Sequence, residues 1–357
     1  MSTSTQRITR FPLEILFLTI DAINDRNDLL SFALTCRSQV WTKLDRTALQ
    51  KLSIRVKANL NTKSHQSVQA NWVGNVLSDT PKLTHLSLTI QYSALNVILL
   101  DYTWPNLENL IINNHNILPT PVVLQPPSNL TDFFKRHPKL TTLSLPYNVY
   151  PPSTSPYITV ECLPKLESFF YDGNLQFPLS LVLSPASARR LHHLSIRDNA
   201  VALGKNPKIL DIYKELTSLQ TFCFTLNPLA ISYDNTNLNQ ILEVLAMHAN
   251  ELQKIHLPTF GIRLEKHYSA MLSILKRFPK LTHLSGAWTY NIRGHDTLLQ
   301  ELYQCRRLEY AINLRRDNTP RVFQLIREFV HEDKDKRWLV KVVSGKSPDF
   351  NRRAWGK

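Results

Sequence analysis

A nine-residue pattern recurs four times in the middle of this chain, with apolar residues at positions 1, 4 and 6 and asparagine at position 9. The copies begin at Leu140, Leu166, Leu191 and Leu219, so successive copies start 26, 25 and 28 residues apart. Positions 4 and 6 alternate with their neighbours as in a short strand that buries one face. A repeat of about 25 residues predicts a stacked array of strands rather than a single globular core.

Weaker copies without the asparagine flank these four. They begin at Leu49, Leu83, Leu107, Leu252, Leu281 and Leu308. The signature and its period resemble the leucine-rich repeat. That resemblance implies an α/β fold, a curved solenoid with parallel strands on its concave face and helices on its convex face. We assign residues 49–320 to this domain.

The segments between the strands carry helical signals. Amphipathic patterns predict helices over residues 67–77, 130–137, 238–249, 267–278 and 296–305. Five prolines stand two residues before the first leucine of a repeat, where each should end a helix ahead of the strand: Pro81, Pro105, Pro138, Pro164 and Pro279. After the repeats, residues 321–343 predict a C-terminal cap made of a closing helix and a final strand, and residues 344–357 form a basic tail.

The N-terminal part of the chain has a different character. Residues 1–10 are polar and predict a disordered N-terminus. Residues 11–48 predict three short helices, in which Pro12 suits the first helical position and Glu14 suits the positive end of the helix dipole. These helices are apolar on more than one face, and such surfaces call for a partner.

Residues 11–48 resemble the F-box, a module that docks on the Skp adaptor of Skp-cullin-F-box ubiquitin ligases. The likeness rests on FPLEI at 11–15, DL at 28–29, CR at 36–37 and Trp41. The departures are Phe11 and Thr35, where the family has Leu and Val, and a slightly long gap before Trp41. The resemblance implies docking on the adaptor, and through it on the cullin, by eight residues: Pro12, Leu13, Ile15, Leu16, Ile20, Leu29, Leu30 and Trp41.

The same helices would alternatively form only the N-terminal cap that a repeat array requires. Caps normally turn a polar face outward, whereas this segment is apolar almost all round, which favours docking. The sequence therefore predicts a non-catalytic substrate-recognition subunit of such a ligase. The alternative is a protein-binding repeat scaffold that acts independently of any ubiquitin ligase.

The strand register also predicts which side chains face away from the core. Lining the concave face, or just beyond the strands, should be the target-binding residues His85, Asn109, Phe170, Asp172, His193, Arg197, Lys254, His256, His283 and Trp288. Cys223 should also point outward, between Phe222 and Phe224. A mixed row of histidines, cations and aromatic residues, in a chain of net charge +14, favours an acidic protein target.

Other classes of function lack their signatures. The sequence has no phosphate-binding loop, nucleophile elbow or zinc-ligand spacing, so we expect no enzyme activity, cofactor or metal. Lys and Arg look dispersed and no nucleic-acid module is found, so nucleic acid is disfavoured. No apolar run reaches about 18 residues, so we expect no membrane partner. Four widely spaced cysteines favour a reduced protein of the cytoplasm or nucleus.

Overall fold

The fold is seen in a computed structural model of the 357-residue chain. The residues that it describes are 49–55, 74, 77–78, 80–90, 102–114, 130–145, 156, 158–172, 179–198, 210–226, 236–257, 271, 273–286, 308, 310–314, 320–326 and 339–343. The predicted N-terminus, F-box and basic tail lie outside these residues, as do Trp288 and the asparagines at position 9.

One sheet organises the described residues, and its strands follow each other in space in their order along the chain. The strands are β1 Lys51–Arg55, β2 His85–Ile90, β3 Asn109–Asn114, β4 Thr142–Leu145, β5 Ser168–Asp172, β6 His193–Asp198, β7 Thr221–Leu226, β8 Lys254–His256, β9 His283–Gly286, β10 Tyr310–Leu314, β11 Pro320–Ile326 and β12 Leu339–Val343. Every pairing from β1 to β10 is parallel. Each of the ten predicted repeats therefore supplies one strand, including the weak copies at both ends.

The repeats are stacked in register, position by position. Leu143 at position 4 lies opposite Leu110 on one side and Phe169 on the other. Leu83, Leu143, Phe169 and Phe222 are all fully buried, with an exposed fraction of 0%. Because strand side chains alternate between faces, positions 4 and 6 of every repeat point to the same side and build one core. The predicted apolar core is confirmed.

A recurring backbone contact holds each repeat to the next. The Gln50 carbonyl accepts hydrogen bonds from the N–H groups of Thr84 and His85, at 2.8 and 3.0 Å. The same two-donor arrangement is found at the start of β3 through β9, where the carbonyl at position 2 of one repeat accepts from positions 2 and 3 of the next. Threonine at position 2 adds a side-chain bond, as when Thr84 Oγ1 donates to the Gln50 carbonyl at 3.0 Å.

We expect Thr282→Val to lower the free energy of unfolding by about 1 kcal/mol. Thr282 Oγ1 donates to the Gln253 carbonyl at 3.2 Å and lies 2.8 Å from His283 Nδ1, so valine removes both contacts at little change in volume. The urea midpoint, compared with that of the exposed turn variant Thr217→Val, measures the effect. An equal loss in the two variants would show that these side-chain bonds contribute nothing.

A tight turn precedes the strands, and its sequence explains the prolines. The Leu83 N–H donates to the Thr80 carbonyl at 3.4 Å, and the Leu140 N–H donates to the His137 carbonyl at 3.2 Å. Pro81 and Pro138 occupy the second position of these turns, where the fixed φ of proline is favourable. Pro138 also follows the end of a helix at Arg136, so the predicted helix stop is confirmed there.

Four helices and one 3-10 turn are bounded within the described residues. They are α1 Leu130–Arg136, the 3-10 turn Leu179–Leu181, α2 Pro185–Ala188, α3 Asp211–Lys214 and α4 Thr236–His248. The predicted helices at 130–137 and 238–249 are confirmed, and residues 74, 77, 271 and 273–275, within the predictions for 67–77 and 267–278, are helical. The helix predicted over 296–305 lies outside the described residues. α2 and α3 were not predicted, because four residues are too short to show a helical period.

The closing helix predicted at the start of residues 321–343 is wrong for residues 321–326, which belong to a strand. Residues 320–326 form β11, which pairs antiparallel with β10 and with β12. The final strand is confirmed as β12. The run of apolar residues in 321–326 suits either a helix or a strand, and the edge of β10 offers unpaired backbone groups that only a strand can satisfy. The sheet is thus parallel through β10 and antiparallel at its end.

A buried histidine connects two repeats. His137 is fully buried, its Nε2 accepts a hydrogen bond from the Trp104 N–H at 2.9 Å, and its Nδ1 lies 2.7 Å from the Phe133 carbonyl. Because Nε2 accepts, the proton of the neutral ring must be on Nδ1, which donates to that carbonyl. Burial lowers the pKa of His137 to about 4. The hydrogen bond to the Phe133 carbonyl raises this pKa, but by less than burial lowers it.

Candidate binding surface

Two rows of side chains lie on the side of the sheet opposite the core, and together they form what we call the repeat face. The third-position row is Lys51, His85, Asn109, Thr142, Ser168, His193, Thr221, Lys254 and His283. The fifth-position row is Ser53, Ser87, Ile111, Ser144, Phe170, Ser195, Cys223, His256 and Ser285. Parallel pairing without a register shift makes each row continuous from β1 to β9.

The structure places seven of the predicted target-binding residues on this face. His85, Asn109, His193, Lys254 and His283 belong to the third-position row, and Phe170 and His256 belong to the fifth-position row. In the backbone register, Asp172 pairs with Arg197 between β5 and β6. The seven residues of the two rows are therefore brought onto one surface, while their role in binding, like that of Asp172 and Arg197, stays a prediction.

The face is not equally accessible along its length. Asn109, Phe170 and His193 are half-buried, whereas His283 retains only 8% of its surface and Cys223 only 3%. Cys223 and His283 thus lie in the outward rows as predicted, yet both are buried. Both lie beside β8, whose larger side chains Lys254 and His256 stand in register between the rows of β7 and β9. From β1 to β6 every side chain of the two rows is half-buried or exposed.

Three histidines of the face, His85, His193 and His256, do not supply positive charge. Burial and the charge of Lys51 lower the pKa of His85, and burial, His192 and Lys254 lower the pKa of His193. Burial lowers the pKa of His256 to about 4, and its Nδ1 contacts the Ser285 hydroxyl. All three imidazoles are neutral at pH 7, where they act as hydrogen-bonding groups.

The centre of the repeat face is uncharged. From β2 to β7, neither row contains Lys, Arg, Asp or Glu. Serine and threonine predominate, and the half-buried side chains of Ile111 and Phe170 are the large apolar groups among them. The charged residues of these rows, Lys51 and Lys254, stand at β1 and β8. The surface thus combines hydroxyl groups with two apolar contacts.

A row of cations was not predicted from the sequence. The third residue of the turn before β2, β4, β5 and β6 is Lys82, Lys139, Lys165 and Arg190, and all four are exposed. We call these four residues the basic row. Lys139 Nζ donates to Asn106 Oδ1 of the preceding repeat at 2.6 Å, which shows that neighbouring turns lie side by side. The interpretation of Lys and Arg as dispersed is therefore wrong for these turns.

The signal for the basic row was present as the recurring tetrapeptide x-P-K-L at residues 80–83, 137–140, 163–166 and 278–281. Its fourth copy differs, since Lys280 Nζ pairs with Glu251 at 2.6 Å. Exposed carboxylates also lie near the basic row, because Glu108 and Glu167 occupy position 2 of the repeats of β3 and β5. The edge of the sheet therefore carries both signs of charge, with cations in excess.

The described residues contain no group of three or more His, Cys, Asp or Glu side chains placed to hold a metal ion. The adjacent rings of His192 and His193 are 6.5 Å apart between centroids and inclined at 78°. In the same part of the chain, no helix has the length and apolar character needed to cross a membrane.

Comparison with known proteins adds little to this picture. No protein-family model matches the chain, and no curated protein matches it in sequence. Among solved structures, the crystal structure of the TLR13-ssRNA13 complex matches with 18% identity and a TM-score of 0.33, over 74% of this chain and 29% of that chain. This chain therefore spans less than a third of that protein. The parallel strand register and the buried leucines of the described residues agree with the predicted leucine-rich-repeat architecture.

Proposed function

We propose that this chain is a protein-binding repeat scaffold that serves as the non-catalytic substrate-recognition subunit of a Skp-cullin-F-box ubiquitin ligase. The observation that supports it most directly is the repeat face, on which nine strands in register present two continuous rows of side chains. Stacked repeats provide extended surfaces of this kind for binding other macromolecules. No cofactor or metal is needed for such a role.

The proposed mechanism is proximity. Residues 11–48, which resemble the F-box, would dock on the Skp adaptor, and the repeats would hold the target. The cullin-based ligase supplies the ubiquitin chemistry. Holding a target lysine close to the transferring enzyme replaces a bimolecular search by a local one. We place this activity in the cytoplasm or nucleus, where such ligases operate.

The docking assignment is tested by Leu13→Lys combined with Ile15→Lys in the full chain. Two ammonium groups in an apolar interface lose hydration without gaining a partner, so we expect the dissociation constant for the purified Skp adaptor to rise at least about 100-fold. Thr3→Lys with Thr5→Lys adds the same charges at the same spacing in the polar segment and should bind as the wild type does. Calorimetric titration of the adaptor gives both values.

Wild-type adaptor affinity in the Leu13/Ile15 variant would reject docking through these residues. If the wild-type chain itself fails to bind the adaptor while remaining a soluble monomer, the N-terminal helices are a cap. The chain is then a repeat scaffold that acts independently of any ubiquitin ligase.

A further inference from the structure

We infer that the repeat face takes an extended segment of a partner protein in which an apolar residue is flanked by aspartate or glutamate. The inference rests on the proposed function, because it names the chemistry of the target that the scaffold would hold. It is carried by three features: the apolar side chains at the centre of the face, the absence of Lys, Arg, Asp and Glu from its two rows between β2 and β7, and the basic row at the edge.

Phe170 provides the apolar contact. In the register it stands between Ser144 and Ser195, two side chains that are much smaller than its own. Its ring is half-buried, so part of its surface is accessible beside these hydroxyl groups. Ile111 lies in the same row beside Ser144, two strands from Phe170. An aliphatic or aromatic side chain of a partner that rests against Phe170 would remove apolar surface from water.

The neutral centre selects against charge on the part of the ligand that lies over it. A carboxylate or ammonium group placed there would lose hydration without meeting an opposite charge. The hydroxyl groups of Ser144, Ser168 and Ser195, and the neutral imidazole of His193, offer hydrogen bonds to an uncharged backbone instead. The centre therefore suits a short extended segment with an uncharged side chain at its middle.

The basic row supplies the complementary charge near this centre. Five residues separate Lys165 from Phe170 and Lys139 from Ser144, which is at most roughly 17 Å in an extended strand. An acidic residue within about five positions of the apolar anchor would therefore reach an exposed ammonium group. Lys139 and Lys165 are the most useful of these, because they belong to the repeats of β4 and β5 at the centre of the face.

Discrete acidic side chains fit this edge better than a polyanion does. Glu108 and Glu167 are exposed beside the basic row, and a phosphate backbone with a charge on every residue would be repelled by them. The centre of the face also lacks the cations that a nucleic-acid channel needs. A peptide can place its carboxylates opposite the lysines and leave the other positions neutral. We therefore assign the face to protein rather than to nucleic acid.

The test uses a yeast-display library of random peptides of about twelve residues, sorted against the full chain. We expect the enriched peptides to contain an apolar residue with Asp or Glu within about five positions of it. Affinity for these peptides should fall at least about ten-fold in Phe170→Ser and about three- to ten-fold in Lys139→Gln combined with Lys165→Gln. It should also weaken between about 50 and 300 mM salt.

Matched controls change the same chemistry elsewhere on the surface. Met247→Ser removes an apolar side chain that is 55% exposed on α4, and Lys135→Gln with Lys214→Gln removes two exposed cations from α1 and α3. Both controls should bind the enriched peptides as the wild type does. Equal losses in controls and test variants would reject the repeat face as the site.

Other outcomes separate this inference from the proposed function. Enriched peptides without acidic residues, no enrichment over a sort against Phe170→Ser, or tight salt-dependent binding of a single-stranded oligo(U) would each overturn the inference. The Skp adaptor is titrated against the same preparations. Adaptor binding without the expected peptides rejects the inference alone, whereas the expected peptides without adaptor binding reject the ligase role alone.

Discussion

Phe169→Ala should lower the free energy of unfolding by about 3–5 kcal/mol, whereas Phe170→Ala should lower it by only about 1 kcal/mol or less. The two residues are adjacent in β5 and lose the same atoms. Phe169 points into the core, where its exposed fraction is 0%, and Phe170 points to the repeat face. Urea unfolding of both variants at one pH gives the two values.

The size of the Phe169 effect follows from its surroundings. Its ring lies between Leu143 and Leu194 in the strand register, and its centroid is 5.9 Å from that of Tyr171 with the planes at 21°. Removing it leaves a cavity in the middle of the array, which the neighbouring repeats cannot fill without losing their own register. Equal losses in the two variants, or a larger loss in Phe170→Ala, would mean that the faces of β5 are assigned the wrong way round.

His137→Leu should lower the free energy of unfolding by about 2–4 kcal/mol at pH 7.5. Leucine fills much of the same volume but leaves the buried Trp104 N–H without its acceptor and the Phe133 carbonyl without its donor. The variant should also change the pH dependence of stability, because His137 has a pKa of about 4 in the folded chain and 6.5 when unperturbed.

The direction of this pH effect follows from proton binding. Below about pH 6.5 the unfolded chain takes up a proton at His137, while the folded chain does so only near pH 4. The stability contributed by the neutral ring is therefore complete above pH 6.5 and is lost as the pH falls toward 4. The shift corresponds to at most about 3 kcal/mol.

His137→Leu binds no proton at this position in either state, so its stability should fall less steeply between pH 6.5 and 4 than that of the wild type. The other histidines with lowered pKa values, His85, His193 and His256, titrate in both proteins, and the difference between the two curves isolates His137. Parallel curves would show that the folded chain protonates His137 as readily as the unfolded chain.

The strand positions could be predicted from local sequence because each repeat places the same residue types in the same structural environment. The leucines Leu140, Leu166 and Leu191 recur 26 and 25 residues apart, and burial of one face of a strand is a local property of alternation. Even the weak copies at Leu49 and Leu308 were correctly read as repeats once the period was known. The placement of His85, Phe170 and His193 on one face followed from the same alternation.

Exposure and charge on that face were not local properties. Cys223 and His283 alternate to the outer face as expected, yet both are buried beside Lys254 and His256 of the neighbouring strand. The loss of charge on His85 and His193 depends on desolvation and on cations from other repeats. Neither the burial of these side chains nor the lowered histidine pKa values can be predicted from one segment, because both depend on side chains that are distant in the sequence.

The repeat period, the strand positions and the buried leucines could be predicted from the sequence, since each depends on neighbours within a few residues. That β11 is a strand depends on tertiary pairing, because the unpaired edge of β10 selects between two locally acceptable conformations. Stacking also brings Lys82, Lys139, Lys165 and Arg190 together, although consecutive members are 25 to 57 positions apart in the chain. Parallel strands bring equivalent positions about 5 Å apart, and that proximity converts scattered cations and small polar residues into one surface.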